Sequence, residues 1–339
     1  MIRRLVPWLR SVVLGGIACW LTAGLAQTSP GQAAPAALSD RAYIASVVGV
    51  DAQVPKSALS SETLGTRRRG SGIVIGDQLV LTIGYLLLEA DQVTVTLNSG
   101  RKVPAAVAGY DHSSGLGLIR AALPLSVPAV DFGDSDAIAD RQRLLTIGFG
   151  EAQATELVVI SRKVFAGSWE YLLERPIFTF PPVSNWSGSA LFTDDGRLLG
   201  VGSLVVNDAA AVERGVPGNL FVPINLLKPI LRDLVDKGRR SQAITPWLGM
   251  STELIAGKLT VTRTSRDGPA DLAGIEPGDV VVAVGADSVS DLADFYRRVR
   301  GRGAAGVAVP LEILKAGSSR QFTLKSIDRS DFIAKPGGV

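Results

Sequence analysis

Two residue types that perform much of enzyme chemistry are scarce in this chain. It contains one histidine, His112, and one cysteine, Cys19. A zinc site built from several histidine ligands is therefore excluded by count. Cys19 lies in a predicted export segment, so we expect the processed protein to have no disulfide, no thiol nucleophile and no cysteine-based metal site. We expect no metal and no cofactor.

The N-terminus is typical of a secretory signal peptide. Arg3, Arg4 and Arg10 precede an uncharged apolar stretch that closes on small residues, which predicts cleavage after Ala26. The alternative is an uncleaved membrane anchor, although the apolar run is short for a span of about 20 residues. Residues 27–339 carry 32 basic and 32 acidic side chains, so the pI of 9.1 belongs largely to the signal and does not indicate nucleic-acid binding.

The next part of the chain has the pattern of an all-β domain. Residues 27–40 are rich in Ala, Pro, Ser and Gln and read as a flexible linker. From about residue 41 to 236, short runs of Val, Ile, Leu and Thr alternate with turn residues, which favours a barrel or a sandwich. Apolar residues at helical spacing from Ile224 to Leu234 predict a helix that ends at Gly238. Residues 237–245 read as a second linker.

A smaller α+β unit is predicted over residues 246–329, followed by a tail at 330–339. Val280–Val284 reads as a buried strand, and a hairpin is predicted around Ala316-Gly317. Between them, apolar residues repeat at i, i+3, i+4 and i+7, which predicts a helix. These residues are Leu292, Phe295, Tyr296 and Val299.

The β-rich unit resembles the trypsin-like domain of HtrA-type proteases, and the smaller unit resembles a PDZ domain. Several collinear stretches share this resemblance: Gly70–Ile75, Leu79–Leu87, Asp111–Ile119, Asn185–Leu191, Gly218–Asn225, Pro246–Met250 and Pro269–Val284. The resemblance covers about residues 41–327. It implies two six-stranded antiparallel barrels followed by a small PDZ domain.

The resemblance also identifies a nucleophile position that has lost its partners. Ser187 occupies the position of the catalytic serine, but Tyr85 stands at the histidine position and Gly115 at the aspartate position. The backbone N–H groups of Asn185 and Ser187 would form the oxyanion hole. Because a serine hydroxyl needs a base, these replacements imply a pseudoprotease. The alternative is an active serine endopeptidase with a displaced base, for which His112 is the available histidine; otherwise, His112 reads as an exposed turn residue.

The PDZ resemblance implies a site for peptide C-termini. PDZ domains pair a peptide with a sheet edge and hold its carboxylate on backbone N–H groups. The matching loop consists of Trp247, Leu248, Gly249 and Met250, and Leu292 and Phe295 either line the peptide pocket or pack the core. We therefore expect a periplasmic or otherwise extracytoplasmic protein that binds peptides or unfolded proteins. The resemblance further allows a homotrimer or a hetero-oligomer with an active relative.

Overall fold

A computed structural model describes residues 42–333. The predicted signal peptide (1–26) and the linker (27–40) lie outside the described residues, as do residues 334–339. Within residues 42–333, no helix is both long enough and apolar enough to cross a membrane.

The first six strands close into an antiparallel barrel with the order β1-β2-β3-β6-β5-β4. Their interior faces carry buried Val, Ile and Leu side chains, as the sequence pattern predicts. A short helix α1 (Ser61–Leu64) lies between β1 and β2, and a 3₁₀ turn (Gly84–Leu86) follows β3. The strands are β1 (Val47–Gln53), β2 (Arg67–Gly76), β3 (Leu79–Ile83), β4 (Gln92–Thr96), β5 (Lys102–Tyr110) and β6 (Leu116–Ala121).

Eight further strands form a second barrel and a separate hairpin. They are β7 (Arg143–Ile147), β8 (Thr155–Ser161), β9 (Phe165–Gly167), β10 (Tyr171–Leu173), β11 (Ile177–Phe180), β12 (Ala190–Phe192), β13 (Leu198–Val206) and β14 (Gly218–Pro223). All but β9 and β10 close into an antiparallel barrel with the order β11-β14-β13-β12-β7-β8. Strands β9 and β10 pair with each other as a separate two-stranded hairpin.

The helix that follows the second barrel is shorter than predicted. The chain makes a 3₁₀ turn at Ile224–Leu226, and the α-helix α2 runs from Leu231 to Lys237. Gly238 ends α2 in a left-handed conformation with φ +75°, and its N–H bonds to the Leu234 carbonyl. Glycine reaches this conformation at little steric cost, so the predicted stop at Gly238 is confirmed.

The C-terminal unit is a sheet with the order β15-β16-β17-β19-β20, with β18 paired to β17. Helix α4 starts at the N-cap Asp291, whose carboxylate accepts the N–H of Asp294, and its apolar face is buried as predicted. The fold class predicted from the sequence is confirmed. The elements are β15 (Met250–Ile255), β16 (Lys258–Thr264), α3 (Pro269–Leu272), β17 (Val280–Val284), β18 (Asp287–Ser288), α4 (Leu292–Arg300), β19 (Ala308–Lys315), β20 (Ser318–Lys325) and α5 (Arg329–Phe332).

Candidate functional site

The loop between β11 and β12 carries Ser187, and the 3₁₀ turn after β3 carries Tyr85. The Tyr85 hydroxyl lies 2.8 Å from Ser187 Oγ and 3.1 Å from the backbone oxygen of Ser203 on β13. A tyrosine has a single hydroxyl proton, so Tyr85 donates to one of these oxygens at a time. Burial raises the pKa of Tyr85 above its ordinary value, while hydrogen bonds to Ser187 and Trp186 act in the opposite direction.

The backbone of the serine loop is fixed by the neighbouring strands. The Ser71 N–H on β2 bonds to the Ser187 carbonyl at 2.7 Å, and the Gly188 N–H bonds to the Gly202 carbonyl at 2.9 Å. Gly188 has φ +73°, a conformation that residues with a side chain rarely adopt. Asn185, predicted to form part of an oxyanion hole, donates through Nδ2 to the Phe149 carbonyl at 3.0 Å. The loop is therefore held in a defined shape around the Ser187 hydroxyl.

Gly115 lies next to the turn that carries Tyr85, and Tyr171 fills the space beside it. The Gly84 N–H bonds to the Gly115 carbonyl at 2.7 Å. The Tyr171 hydroxyl donates to the Ser114 carbonyl at 2.5 Å, and a Cβ added to Gly115 would lie 2.9 Å from the same hydroxyl. Burial raises the pKa of Tyr171 well above its ordinary value, so the phenol is neutral there. Sequence analysis did not identify Tyr171, which lies 57 residues from Ser114.

The carboxylate nearest Gly115 along the chain has a structural role. Asp111 is buried, accepts from the N–H and Oγ of Ser114, and forms two hydrogen bonds with Arg240 at 2.9 and 3.0 Å. A buried carboxylate requires such pairing because desolvation penalises a lone charge. Arg240 falls in the segment predicted to be a linker, so that segment is tied to the first barrel by this ion pair.

His112 is not the exposed turn residue that the sequence suggested. It lies in a turn, but its ring packs edge-on against Tyr110 with centroids 4.3 Å apart. Its Nδ1 is buried and finds no hydrogen-bond partner among residues 42–333. Burial lowers the pKa of His112 well below its ordinary value. The described contact of the Ser187 hydroxyl is Tyr85 rather than this histidine.

The loop before β15 points three consecutive backbone donors at one carboxylate. The N–H groups of Leu248, Gly249 and Met250 lie 2.8, 2.7 and 3.0 Å from the carboxylate oxygens of Glu170. Gly249 has φ +77°, the left-handed conformation that a turn of converging N–H groups requires. Glu170 lies between β9 and β10, and sequence analysis missed it. Burial raises the pKa of Glu170 to about 7, against the lowering effect of the three donors and of Arg329.

The other predicted groove residues pack in or against the core of the C-terminal unit or against helix α5. Phe295 on α4 is 1% exposed and belongs to the core of the C-terminal unit, while Leu292 is partly buried against that core. Trp247 pairs through its backbone with Ile327, and its ring contacts Phe332 of α5. Helix α5 thus occupies the start of the predicted tail. No cluster of His, Cys, Asp and Glu capable of holding a metal occurs in the described part of the chain.

Comparisons with known proteins agree with this architecture. Residues 70–201 match the family model of a trypsin-like peptidase domain, and residues 246–325 match that of a PDZ domain. The chain therefore combines a trypsin-like peptidase domain with a PDZ domain. It is 26% identical over 291 residues to a probable periplasmic serine endoprotease, DegP-like, of Halomonas elongata, and 25% identical over 277 residues to a probable periplasmic serine protease, do/HhoA-like, of Haemophilus influenzae. These alignments cover 80% and 76% of the chain but 59% and 58% of the relatives.

Solved structures share the fold of this chain over most of its length. The HtrA-type protease AlgW with decapeptide aligns with a TM-score of 0.53 and 21% identity, covering 88% of this chain and 98% of that one. The serine endoprotease from Yersinia pestis aligns with a TM-score of 0.51 and 20% identity. These similarities concern the fold, and the chemistry of the site depends on the side chains described above.

Proposed function

We propose that this HtrA-type chain is a pseudoprotease that binds peptide or protein C-termini through its PDZ domain. The observation that supports loss of hydrolysis is the contact between Tyr85 and Ser187: a neutral phenol lies 2.8 Å from Oγ, where a serine nucleophile needs a base. We further propose a periplasmic location after signal removal, in line with the names of the relatives.

The chemistry of Tyr85 supports this proposal. A phenol with an ordinary pKa near 10 is protonated at neutral pH, and burial raises the pKa of Tyr85 further. A protonated phenol cannot accept the Ser187 proton, so Tyr85 cannot carry that proton from the serine to a leaving amine. Gly115 supplies no carboxylate, and neutral Tyr171 occupies the adjoining space. Loss of triad members costs about 10⁴ to 10⁶ in rate, which leaves no useful peptidase.

The binding half of the proposal depends on the carboxylate loop. Leu248, Gly249 and Met250 direct their N–H groups to one point, and a carboxylate satisfies all three. This is the backbone arrangement by which a PDZ domain holds a peptide C-terminus. A role in envelope protein quality control, as a homotrimer or together with an active relative, follows from the family resemblance and belongs to the same proposal.

Labelling with a fluorescent fluorophosphonate, together with hydrolysis of unfolded casein, tests the catalytic part. We expect the wild-type protein to show the same residual signal as Ser187→Ala in both assays at neutral pH, with trypsin as the positive control for reagent and substrate. The matched control Ser189→Ala alters the neighbouring serine of the same loop. Wild-type labelling or cleavage that disappears in Ser187→Ala and survives in Ser189→Ala would show an active endopeptidase with another base.

A further inference from the structure

The β9–β10 hairpin lies against the edge of the PDZ sheet and against α4. The Thr252 N–H on β15 donates to the Ser168 carbonyl at 3.0 Å, and the Tyr296 hydroxyl on α4 donates to the Gly167 carbonyl at 2.9 Å. Leu172 of the hairpin is 2% exposed and is part of the PDZ core. A docked peptide would lie between the same strand and helix. The hairpin thus occupies the position of a ligand.

Glu170 gives the hairpin the chemical group that a peptide C-terminus would present. Oε1 accepts the N–H groups of Gly249 and Met250, and Oε2 accepts that of Leu248. All three backbone donors of the loop therefore bond to this one side chain. Glu170 has φ +61°, a sparsely populated conformation for a residue with a side chain, which persists only where surrounding contacts impose it. The local backbone is therefore shaped to deliver this carboxylate.

Contacts on both sides of Glu170 hold the hairpin in place. Glu174 forms two hydrogen bonds with Arg297 of α4 at 3.0 and 2.6 Å, and Arg300 donates to the Leu172 carbonyl at 3.3 Å. Arg329 of α5 donates to the Trp169 carbonyl at 3.1 Å. The hairpin is bound from the sheet edge, from α4 and from α5, and Glu170 lies at the centre of these contacts.

We propose that the β9–β10 hairpin is an internal ligand of the PDZ groove, and that a peptide C-terminus binds only after Glu170 leaves the carboxylate loop. Three N–H groups that already serve one carboxylate cannot serve a second, and two carboxylates at one point repel each other. The apparent affinity for a peptide is then reduced by the fraction of molecules in which the hairpin is undocked. This inference rests on the proposed peptide-binding role of the same loop.

Amide hydrogen exchange of the full chain tests the docking without a peptide. We expect Leu248, Gly249 and Met250 to exchange slowly in the wild-type protein and at least about tenfold faster in Glu170→Ala. Glu170→Gln, which keeps the size of the side chain but replaces one acceptor oxygen by a donor, should also speed exchange. Glu174→Ala is the matched control, because the ion pair that it removes is about half exposed on both sides and contributes little to docking compared with the three hydrogen bonds that Glu170 accepts. Exchange at the three amides that is unchanged in both Glu170 variants would overturn the inference.

A pool of fluorescent peptides with randomised last four residues then separates this inference from the proposed function. We expect the free-acid pool to bind Glu170→Ala at least about tenfold more tightly than it binds the wild-type chain. The amidated pool should bind neither protein. Equal binding of the acid pool to both proteins would refute occlusion by the hairpin while supporting peptide binding. Faster amide exchange in Glu170→Ala without binding of any acid peptide would support the docking and refute the proposed binding function.

Discussion

The serine loop and the carboxylate loop have diverged in opposite ways within one chain. Around Ser187 the backbone is held as a catalytic loop would be, but Tyr85 and Gly115 provide neither a base nor a carboxylate. Around Gly249 the binding groups are present and are occupied by Glu170 of the same chain. On the account proposed above, the first site keeps the backbone framework but lacks the catalytic side chains, and the binding groups of the second site are occupied by a side chain of the same chain.

The difference follows from which atoms perform each task. Proton transfer needs particular side chains with suitable pKa values, so the replacements that we propose at Tyr85 and Gly115 would abolish it while leaving the barrels intact. Carboxylate binding uses backbone N–H groups, which every residue except proline supplies. We therefore expect that loop to bind a carboxylate as long as its conformation survives, and Gly249 has the φ of +77° that this conformation uses.

Restoring the triad should produce the largest effect on the rate of casein hydrolysis, because it would return the missing side chains to the serine loop. We expect Tyr85→His alone to leave casein hydrolysis within about tenfold of background, because triad residues act as a unit. Tyr85→His with Gly115→Asp should exceed either change alone. Adding Tyr171→Ala removes the hydroxyl that a Cβ at Gly115 would meet and should raise the rate again. We expect the triple variant to hydrolyse casein on the order of 10²–10⁴ times faster than background.

The rates of these variants also check the assignment of Gly115. If Tyr85→His alone cleaved casein as fast as the double variant, the carboxylate position would have been assigned to the wrong residue. Ser187→Ala in the triple variant should return hydrolysis to background, which ties any gain to this serine.

The second prediction concerns the pH dependence of hairpin docking at the loop of Leu248, Gly249 and Met250. The pKa of Glu170 is about 7 when docked against an ordinary 4.5, so the docked state holds its proton more tightly. The contribution of this proton to the free energy of unfolding is fully present below about pH 4.5 and is lost as pH rises through 7. The total loss over this range is about 3 kcal/mol. The neighbouring Tyr296 stays neutral in this window because burial raises its pKa.

Denaturant unfolding of the wild-type protein and of Glu170→Gln at pH 5 and pH 8 measures this effect. Glutamine does not titrate, so the difference between the two proteins isolates Glu170. We expect the wild-type advantage to be smaller at pH 8 than at pH 5. A larger advantage at pH 8 would mean that the three N–H donors, rather than burial, dominate the pKa of this carboxyl.

A smaller effect concerns stability at Gly115. Gly115→Asp places a side chain at φ +74° and brings a Cβ to 2.9 Å from the Tyr171 hydroxyl. The matched control Gly100→Asp has φ +83° with nothing within 4 Å of its added Cβ. We expect a loss of about 1 kcal/mol for Gly100→Asp from the conformation alone. For Gly115→Asp we expect about 1–3 kcal/mol more, from overpacking, by thermal or chemical denaturation. Equal losses would show that Tyr171 does not fill the carboxylate space.

Much of the fold could be predicted from local patterns in the sequence. The regular alternation of short apolar runs and turns predicts the β-rich architecture, and the i, i+3, i+4, i+7 spacing predicts helix α4. Gly238 is recognisable as a helix stop because few other residues adopt φ +75° readily. These features depend on residues that are close together along the chain, so the local sequence is enough to predict them.

The parts that escaped prediction depend on contacts between distant residues. Glu170 lies 79 residues from Gly249, and Tyr171 lies 57 residues from Ser114. Nothing in the local sequence of the hairpin marks it as a ligand or as the group beside Gly115. His112 is a similar case, because its burial depends on packing against Tyr110 and not on the polar turn in which it lies.

The titration of Tyr85 tests most directly whether Ser187 lacks a base. Ultraviolet difference titration of the wild-type protein against Tyr85→Phe isolates this phenol from the other tyrosines. Because burial raises the pKa of Tyr85 from its ordinary value of 10.0, we predict a midpoint above 10, so that the group beside Ser187 is protonated at neutral pH. A midpoint below about 8 would provide a phenolate able to accept the serine proton, and would contradict the account of this chain as a pseudoprotease.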